Sequence, residues 1–502
     1  MGNTHKKRKA GNSLIKIGKN IIIIFITMTI SLMPYTQVRA MTAKQSMTHQ
    51  LNQVIMKEPA LQGAIAGISV RSAADGAILY DYQGDVRLRP ASNMKLLTAA
   101  AALKVLGENY TFSTEVKTDA KKIKKIIQGN LYLKGNGDPT LLEDDIENMA
   151  MAIERIGVKK IKGNLVADDS RYDHVRYPLD MPWSDEAAYY GAQISALTVS
   201  PTKEYDSGSV RVKVKPGTKI GEKVKITVTP KSNYIKIINH AVTVAKDGKK
   251  KIKIEREHSK NTVTIEGTLP LNAKESKEWV GVWEPTRFAA TLFKQALTER
   301  GITVTGKIKT GTVPEQAKLL TKHQSMPLSQ LLVPFMKLSN NVHAEILIKE
   351  MGKLKKGEGS WDKGLTVMKS EVAKLGVNPN IMVIRDGSGI SHVDSVPANQ
   401  LSKLLFSVQK EKWFPVYLNA LPVAGNSDKM VGGSLRKRLT DPSMAGRVRA
   451  KTGTISTVTS LSGYVNTKSG QILIFSILLN NMLDETKGKK IEDTLVTILA
   501  NQ

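Results

Sequence analysis

The chain has 502 residues, 41% of them apolar, which is enough for two or more packed domains and argues against wholesale disorder. It contains no cysteine, and its eight histidines show no HExxH-type spacing, so disulfides, a cysteine nucleophile and a thiolate or histidine metal site drop out and no cofactor is expected. The formal net charge is +29 with 5% aromatic residues, a balance that suits an anionic cell-wall polymer or membrane surface and not nucleic acid, for which stacking platforms are too few.

Residues 1–40 read as a signal peptide. Lys6, Lys7, Arg8, Lys9, Lys16 and Lys19 form a basic start, Ile21 to Met33 is an apolar run of 13 residues, and Val38-Arg39-Ala40 fits a small-residue cleavage site. The run is shorter than the ~20 residues that span a bilayer. The mature chain is therefore expected to begin at Met41 and to be exported, either secreted or associated with the cell wall or outer membrane surface; an uncleaved anchor is the alternative. This segment carries seven positive and no negative charges, which leaves +22 on residues 41–502.

Gly67 to Val70 and Ala77 to Tyr80 flank the turn signal Ala74-Asp75-Gly76 and predict a strand pair. Pro90-Ala91 then opens a helix over Ser92 to Leu106 that Gly107 can end. From about Tyr110 the character changes to Lys-rich alternating segments. Val210, Val212 and Val214 alternate with polar residues, as do Val224, Ile226 and Val228, Ile252 and Ile254, and Val263 and Ile265, with turn signals at Pro216-Gly217 and Asp247-Gly248. That period of two predicts strands with one buried face. Helices return at Thr286 to Glu299, Leu328 to Met336 and Val342 to Met351; strand-like runs follow at Thr457 to Val465 and Gln471 to Leu479, and a last helix over Lys490 to Ala500. Strands at both ends with helices between predict one α/β (α+β) domain interrupted by a mainly β insertion of two modules. Its first part is 41–115, the inserted region 116–284 with a nested β module at about 205–268, and its second part 285–502.

Three motifs occur in one order. In Ser92-Asn93-Met94-Lys95 the serine stands at a helix start, where free N–H groups favour developing negative charge. Residues i and i+3 share a helix face with about 5–6 Å between Cβ atoms, so Lys95 can reach the Ser92 hydroxyl. A lysine is a base only when desolvation or a nearby cation lowers its pKa, and Lys451 is a candidate for that cation. Of the other Ser-x-x-Lys copies, Ser13/Lys16 lies in the signal segment, and Ser200/Lys203 has Pro201 inside it and no apolar helix after it. In Ser339-Asn340-Asn341, Ser339 is positioned to relay a proton and Asn341 to bind a substrate amide, although Asn340-Asn341 also reads as a helix cap; Ser259-Lys260-Asn261 repeats the pattern. Lys451-Thr452-Gly453-Thr454 recurs earlier as Lys309-Thr310-Gly311-Thr312, but only the later copy follows both other motifs and leads into strands. There Lys451, Thr452 and Thr454 offer donors to a terminal carboxylate, Gly453 allows close approach of a ligand, and the N–H groups of Ser92 and Thr454 would form an oxyanion hole. No motif member lies in 116–284, so that region is expected to be dispensable for acylation.

At these residues the chain resembles the low-molecular-mass class C penicillin-binding proteins, the D-alanyl-D-alanine carboxypeptidase/endopeptidase family, from about residue 50 to the C-terminus. The segments Gly135-Asn136-Gly137-Asp138-Pro139-Thr140-Leu141, Tyr190 to Leu197, Asp386-Gly387-Ser388-Gly389-Ile390-Ser391 and Leu461-Ser462-Gly463-Tyr464 support the resemblance. The 247 positions between Ser92 and Ser339 leave the room that this family's two extra domains require. One departure is Gly433-Ser434-Leu435, where the family commonly has Gly-Thr-Leu. The resemblance implies a serine transpeptidase/β-lactamase-like fold. It also implies attack by Ser92 on the penultimate D-Ala carbonyl of peptidoglycan stem peptides, release of D-alanine, hydrolysis of the acyl-enzyme, cross-link cleavage by the same chemistry, and acylation by β-lactam antibiotics as covalent inhibitors. A β-lactamase-like hydrolase shares the motifs and is the alternative enzyme; a non-enzymatic basic wall-binding protein is the other reading.

Overall fold

In a computed structural model of the chain, residues 1–2 and 45–502 are described; the expected leader and its cleavage point lie outside the described residues. Two strands from the start of the chain meet three from its end. β1 (Ile65–Ser72) and β2 (Ile78–Tyr82) join β3 (Val448–Ile455), β4 (Val458–Asn466) and β5 (Ile472–Asn480) in an antiparallel sheet of order β2-β1-β5-β4-β3. The central strand β5 is almost wholly apolar, as a strand covered on both faces must be. Leu473, Phe475, Ile477 and Leu479 point to a layer made of a helix over 45–57 and α4, while Ile474 and Leu478 point to a larger helical layer. The helices labelled here are α1 (Met94–Leu106), α2 (Asn341–Lys356), α3 (Trp361–Lys374) and α4 (Glu485–Ala500). Every residue of α1 from Met94 to Leu103 is buried, so it is the core helix of the second layer and shows no polar face. The α/β domain with its interrupting insertion is the fold that the sequence predicts.

The inserted region begins on one sheet and returns on it. Ser113–Thr118 pairs with Leu131–Gly135 and, on its other side, with Lys318–Gln324; Leu165–Asp168 and Ile308–Thr310 complete five strands. Helices Glu143–Arg155 and Pro285–Glu299 pack on this unit, burying Ile146, Met149 and Ile153 against the same core as Phe288, Leu292 and Phe293. On this packing we draw the return to the first domain after Gln324, because the helix and strands beyond residue 284 bury their apolar sides in the insert. The alternating segments form two further sheets. Ser209–Lys215 lies between Lys225–Thr229 and Ser276–Gly281, and Thr262–Pro270 pairs with Lys236–Asn239, Val242–Val244 and Lys251–Arg256. The β module therefore runs on to Gly281. Val210, Val212 and Val214 are buried, as the alternation requires.

Candidate active site

Ser92 lies in a single 3-10 turn, Ala91–Asn93, that feeds directly into α1. Ala91 holds φ +45, a conformation that a non-glycine residue keeps only when its surroundings enforce it. They do so here. Ser460 Oγ donates to the Pro90 carbonyl at 2.7 Å, and Asn93 Nδ2 donates to Ser462 Oγ at 2.9 Å, so β4 grips the turn on both sides of the serine. On the opposite side Gly389, at φ +81, lies so near the Ala91 carbonyl that any Cβ there would overlap it.

Lys95 Nζ stands 3.0 Å from Ser92 Oγ, 2.7 Å from Asn341 Oδ1 and 2.9 Å from the Ser388 carbonyl. A neutral lysine has two N–H donors and one lone pair. The two carbonyl-type acceptors take the donors, which leaves the lone pair for the Ser92 hydroxyl. Lys95 is fully buried, and that burial brings its pKa down to about 7 against the opposing pull of Glu345 and Asp386. The sequence offered burial or a neighbouring cation, Lys451, as the cause; burial is what lowers it, and the carboxylates of Glu345 and Asp386 oppose it. Lys451, also fully buried, is held well below the ordinary lysine value by burial first and by the charge of Lys95 second.

The second motif is the corner between helix Leu328–Lys337 and α2. Ser339 takes φ +65, which turns its hydroxyl to accept from Lys451 Nζ at 2.9 Å. Asn341 is the first residue of α2 and Asn340 its cap by position, but neither makes a side-chain capping bond. Both amides look toward the insert. Asn340 Nδ2 donates to the carbonyls of Glu204 and Tyr205 at 3.0 and 3.1 Å, and Asn341 Nδ2 donates to the Tyr190 carbonyl at 2.9 Å.

The third motif is on β3, the edge strand of the sheet; its outer side bonds to the backbone of Ala424 and Pro422 at Val448 and Ala450, and among the described residues no strand pairs with it from Lys451 onward. Lys451 also donates to the Thr452 carbonyl at 2.8 Å. Thr452 Oγ1 shares a 2.6 Å hydrogen bond with Ser434 Oγ, so the residue that departs from the family pattern keeps a hydroxyl where the strand needs one. The space beside Gly453 is taken by the protein itself. A Cβ there would overlap Ser460 Oγ and come 2.9 Å from both the Pro90 carbonyl and the Ser92 nitrogen. The decoys lie elsewhere. Lys309 is exposed on the edge strand of the insert sheet opposite Val166, Ser200 Oγ is tied to the Pro139 carbonyl, and Asn261 is spent on the Trp283 backbone.

Ser92, Ser339, Asn341, Thr452 and Thr454 line one cleft of about 410 Å³. Pro182, Ser184, Asp185, Tyr189 and Tyr190 form another part of its wall, so the insert, expected to be dispensable for acylation, helps to make the cleft. The sequence motifs did not reveal these wall residues, nor Glu345 and Asp386 behind Lys95. Asp386-Gly387-Ser388-Gly389 is dense enough in turn formers to mark a tight loop, but nothing local says that its carbonyl faces a lysine.

A Ser–Lys pair with its lysine buried, a Lys–Ser pair across the same cleft and a strand edge open from Lys451 onward define a serine acyl-transfer hydrolase. The chain matches the D-Ala-D-Ala carboxypeptidase 3 (S13) family over residues 47–502 and belongs to it, as a serine-type D-Ala-D-Ala carboxypeptidase. It is 41% identical over 429 residues to a D-alanyl-D-alanine carboxypeptidase of Actinomadura sp. (strain R39), covering 85% of this chain and 79% of that protein. It is 26% identical over 422 residues to the D-alanyl-D-alanine carboxypeptidase DacB of Haemophilus influenzae, covering 84% and 86%. The crystal structure of penicillin binding protein 4 from Haemophilus influenzae superposes with a TM-score of 0.77 at 25% identity, over 90% of this chain and 99% of that one.

Proposed function

We propose that Ser92 is the nucleophile by which this carboxypeptidase removes the terminal D-alanine of peptidoglycan stem peptides, and the serine that β-lactams acylate. The observation that carries this is the pair of contacts Lys95 Nζ–Ser92 Oγ at 3.0 Å and Lys451 Nζ–Ser339 Oγ at 2.9 Å, both lysines being fully buried. Neutral Lys95 takes the hydroxyl proton as Ser92 Oγ attacks the penultimate carbonyl carbon. The N–H groups of Ser92 and Thr454 receive the oxyanion. The carbon–nitrogen bond then breaks as Ser339, held by Lys451, gives its proton to the departing amine and takes back the one that Lys95 removed from Ser92, which leaves Lys95 neutral again. Water, with Lys95 again as base, hydrolyses the Ser92 ester and frees the shortened peptide. Lys451, Thr452 and Thr454 hold the substrate carboxylate, Asn341 its amide, and Gly453 lets β3 lie close under the reacting serine.

Cleavage of a cross-link is the same reaction with a longer leaving amine, and digestion of defined muropeptides read by mass spectrometry gives the balance of the two activities. The net charge and the basic, apolar N-terminal segment support export and attraction to an anionic wall or membrane surface. Among the described residues no helix is long and apolar enough to cross a membrane. The decisive test of the nucleophile is Ser92→Ala. Labelling by a fluorescent penicillin and release of D-alanine should both vanish while the thermal midpoint stays within a few degrees. Labelling that persists would move the acyl group to another serine.

A further inference from the structure

Behind Lys95, on the side away from the cleft, the chain buries carboxyl groups that the reaction just described does not use. Glu345 stands one helical turn after Asn341 on α2 and is 1% exposed; Asp386 and Asp394 are fully buried in and beside the loop that supplies the Ser388 carbonyl. The loop is built around these acids. Asp386 accepts from the backbone N–H groups of Ser388, Gly389 and Ser391 at 3.0, 2.6 and 2.7 Å. Asp394 accepts from the Arg385 N–H at 2.7 Å. Glu345 Oε2 accepts from the Gly387 N–H at 3.0 Å and from the Trp361 indole at 2.7 Å. Thr98, on α1 three residues beyond Lys95, donates to the Gly387 carbonyl at 2.6 Å. Glu345 and α1 thus hold the loop from two sides, and the Ser388 carbonyl between them is one of the two acceptors that fix Lys95.

We propose that Glu345 is a positioning residue for acylation. It anchors the loop whose Ser388 carbonyl orients Lys95, and its own charge governs the pH range in which that lysine can act as a base. This rests on Lys95 being the base that receives the Ser92 proton.

The charged and titratable groups set against Lys95 are few. Glu345 faces it from α2, Asp386 from the loop with Asp394 behind, and Lys451 from β3; His343, on α2, is kept neutral because burial holds its pKa down to about 4. Burial raises Glu345 to about 7, and Asp386 adds to the rise. Two N–H donors on Oε2 favour its ionised form. A carboxylate at Glu345 holds Lys95 in its charged form, so the lysine gives up its proton at higher pH than it would beside a neutral side chain. As an ammonium Lys95 accepts no proton from Ser92, so the acidic limb of acylation follows its deprotonation.

The sign of the test follows. Glu345→Gln keeps the shape and one acceptor oxygen for Gly387 and Trp361 but removes the charge. Lys95 then loses an opposing pull and deprotonates earlier, so the acidic limb of second-order penicillin acylation should move to lower pH by about one pH unit. Well below the limb this is a roughly tenfold higher rate relative to the variant's own plateau. Glu345→Ala instead strands the Gly387 and Trp361 donors and should lower the rate at every pH. Wild type, Glu345→Gln and Glu345→Ala are compared by acylation rate from pH 5 to 9, with penicillin adduct on Ser92 counted by mass. A limb that stays put in Glu345→Gln overturns the proposal and leaves Glu345 as loop packing. Loss of the Ser92 adduct in wild type itself would instead defeat the mechanism on which the proposal rests.

Discussion

At the scale of single residues, Lys451 and Lys309 pose the sharpest comparison. Each heads a Lys-Thr-Gly-Thr tetrapeptide, so local chemistry cannot separate them, whereas order along the chain does. Lys451 is buried with its side-chain nitrogen on Ser339; Lys309 is exposed on a far sheet edge. Lys451→Ala removes a charged hydrogen bond worth about 1.5–3 kcal/mol, so penicillin acylation should fall roughly 10- to 150-fold, and further if transition-state charge is involved. Lys309→Ala should change stability by about 0.5 kcal/mol or less and leave acylation intact. Second-order acylation rates for the two variants decide it; a large loss at 309 with a normal rate at 451 would reverse the assignment. Ser92, Lys95, Ser339, Asn341 and Lys451 were legible because each belongs to a short motif in a fixed order. Glu345 and the Tyr190 carbonyl were not. An acid at i+4 on a helix looks like any polar helical position, and a backbone carbonyl leaves no mark in a sequence at all.

At the scale of elements, what was legible followed periodicity. β1, β2, β4, β5, α1 and the alternating valines of the insert all appear close to their expected bounds. Helix Glu143–Arg155 was missed, although Ile146, Met149, Ala150 and Ile153 repeat at helical spacing, because the surrounding Lys-rich strands set the expectation of a mainly β insert. Gly453 shows how an element can be read correctly and its glycine for the wrong neighbour. The residue was expected to make room for a ligand; it makes room for the serine turn, which β4 and β3 carry between them. Gly453→Ala must therefore push β3 away from Pro90 and Ser92 or displace Ser460 Oγ. Overpacking of this kind costs about 1–3 kcal/mol, and the shift opens the gap between Ser92 and the strand edge that aligns substrate. The expected result is a thermal midpoint lower by several degrees and acylation reduced about tenfold or more, since small misplacements at a reacting centre are costly. Wild-type acylation in Gly453→Ala would mean that the strand moves without moving the serine.

At the scale of the whole molecule, the insertion changes from an appendage into a part of the catalytic fold. Composition suggested separate modules, and the motif search found nothing catalytic between residues 116 and 284. The folded chain brings two insert loops back onto the middle motif. Tyr190 accepts from Asn341, and Glu204 and Tyr205 accept from Asn340, while His343 lies 2.8 Å from the same Tyr205 carbonyl. These contacts bridge 135 to 151 positions of sequence, and they flank Ser339, whose left-handed φ of +65 is a conformation that a serine keeps only when its surroundings enforce it. Asn340 is the residue through which this can be tested, because its side chain touches the insert while its neighbours carry the chemistry. Asn340→Ala deletes two buried hydrogen bonds and leaves two backbone carbonyls without those donors, a loss of about 1–3 kcal/mol. If the insert positions the motif, that energy appears mainly in the rate, as acylation slower by roughly five- to a hundredfold. Lys429→Ala is the control. It removes the partly exposed 2.6 Å ion pair with Glu204 on the outer side of the same loop, worth about 1 kcal/mol or less, and should leave acylation nearly unchanged. Should Asn340→Ala lose stability yet acylate at the wild-type rate, the insert would only brace the fold, and removing it would cost the enzyme nothing at the acylation step.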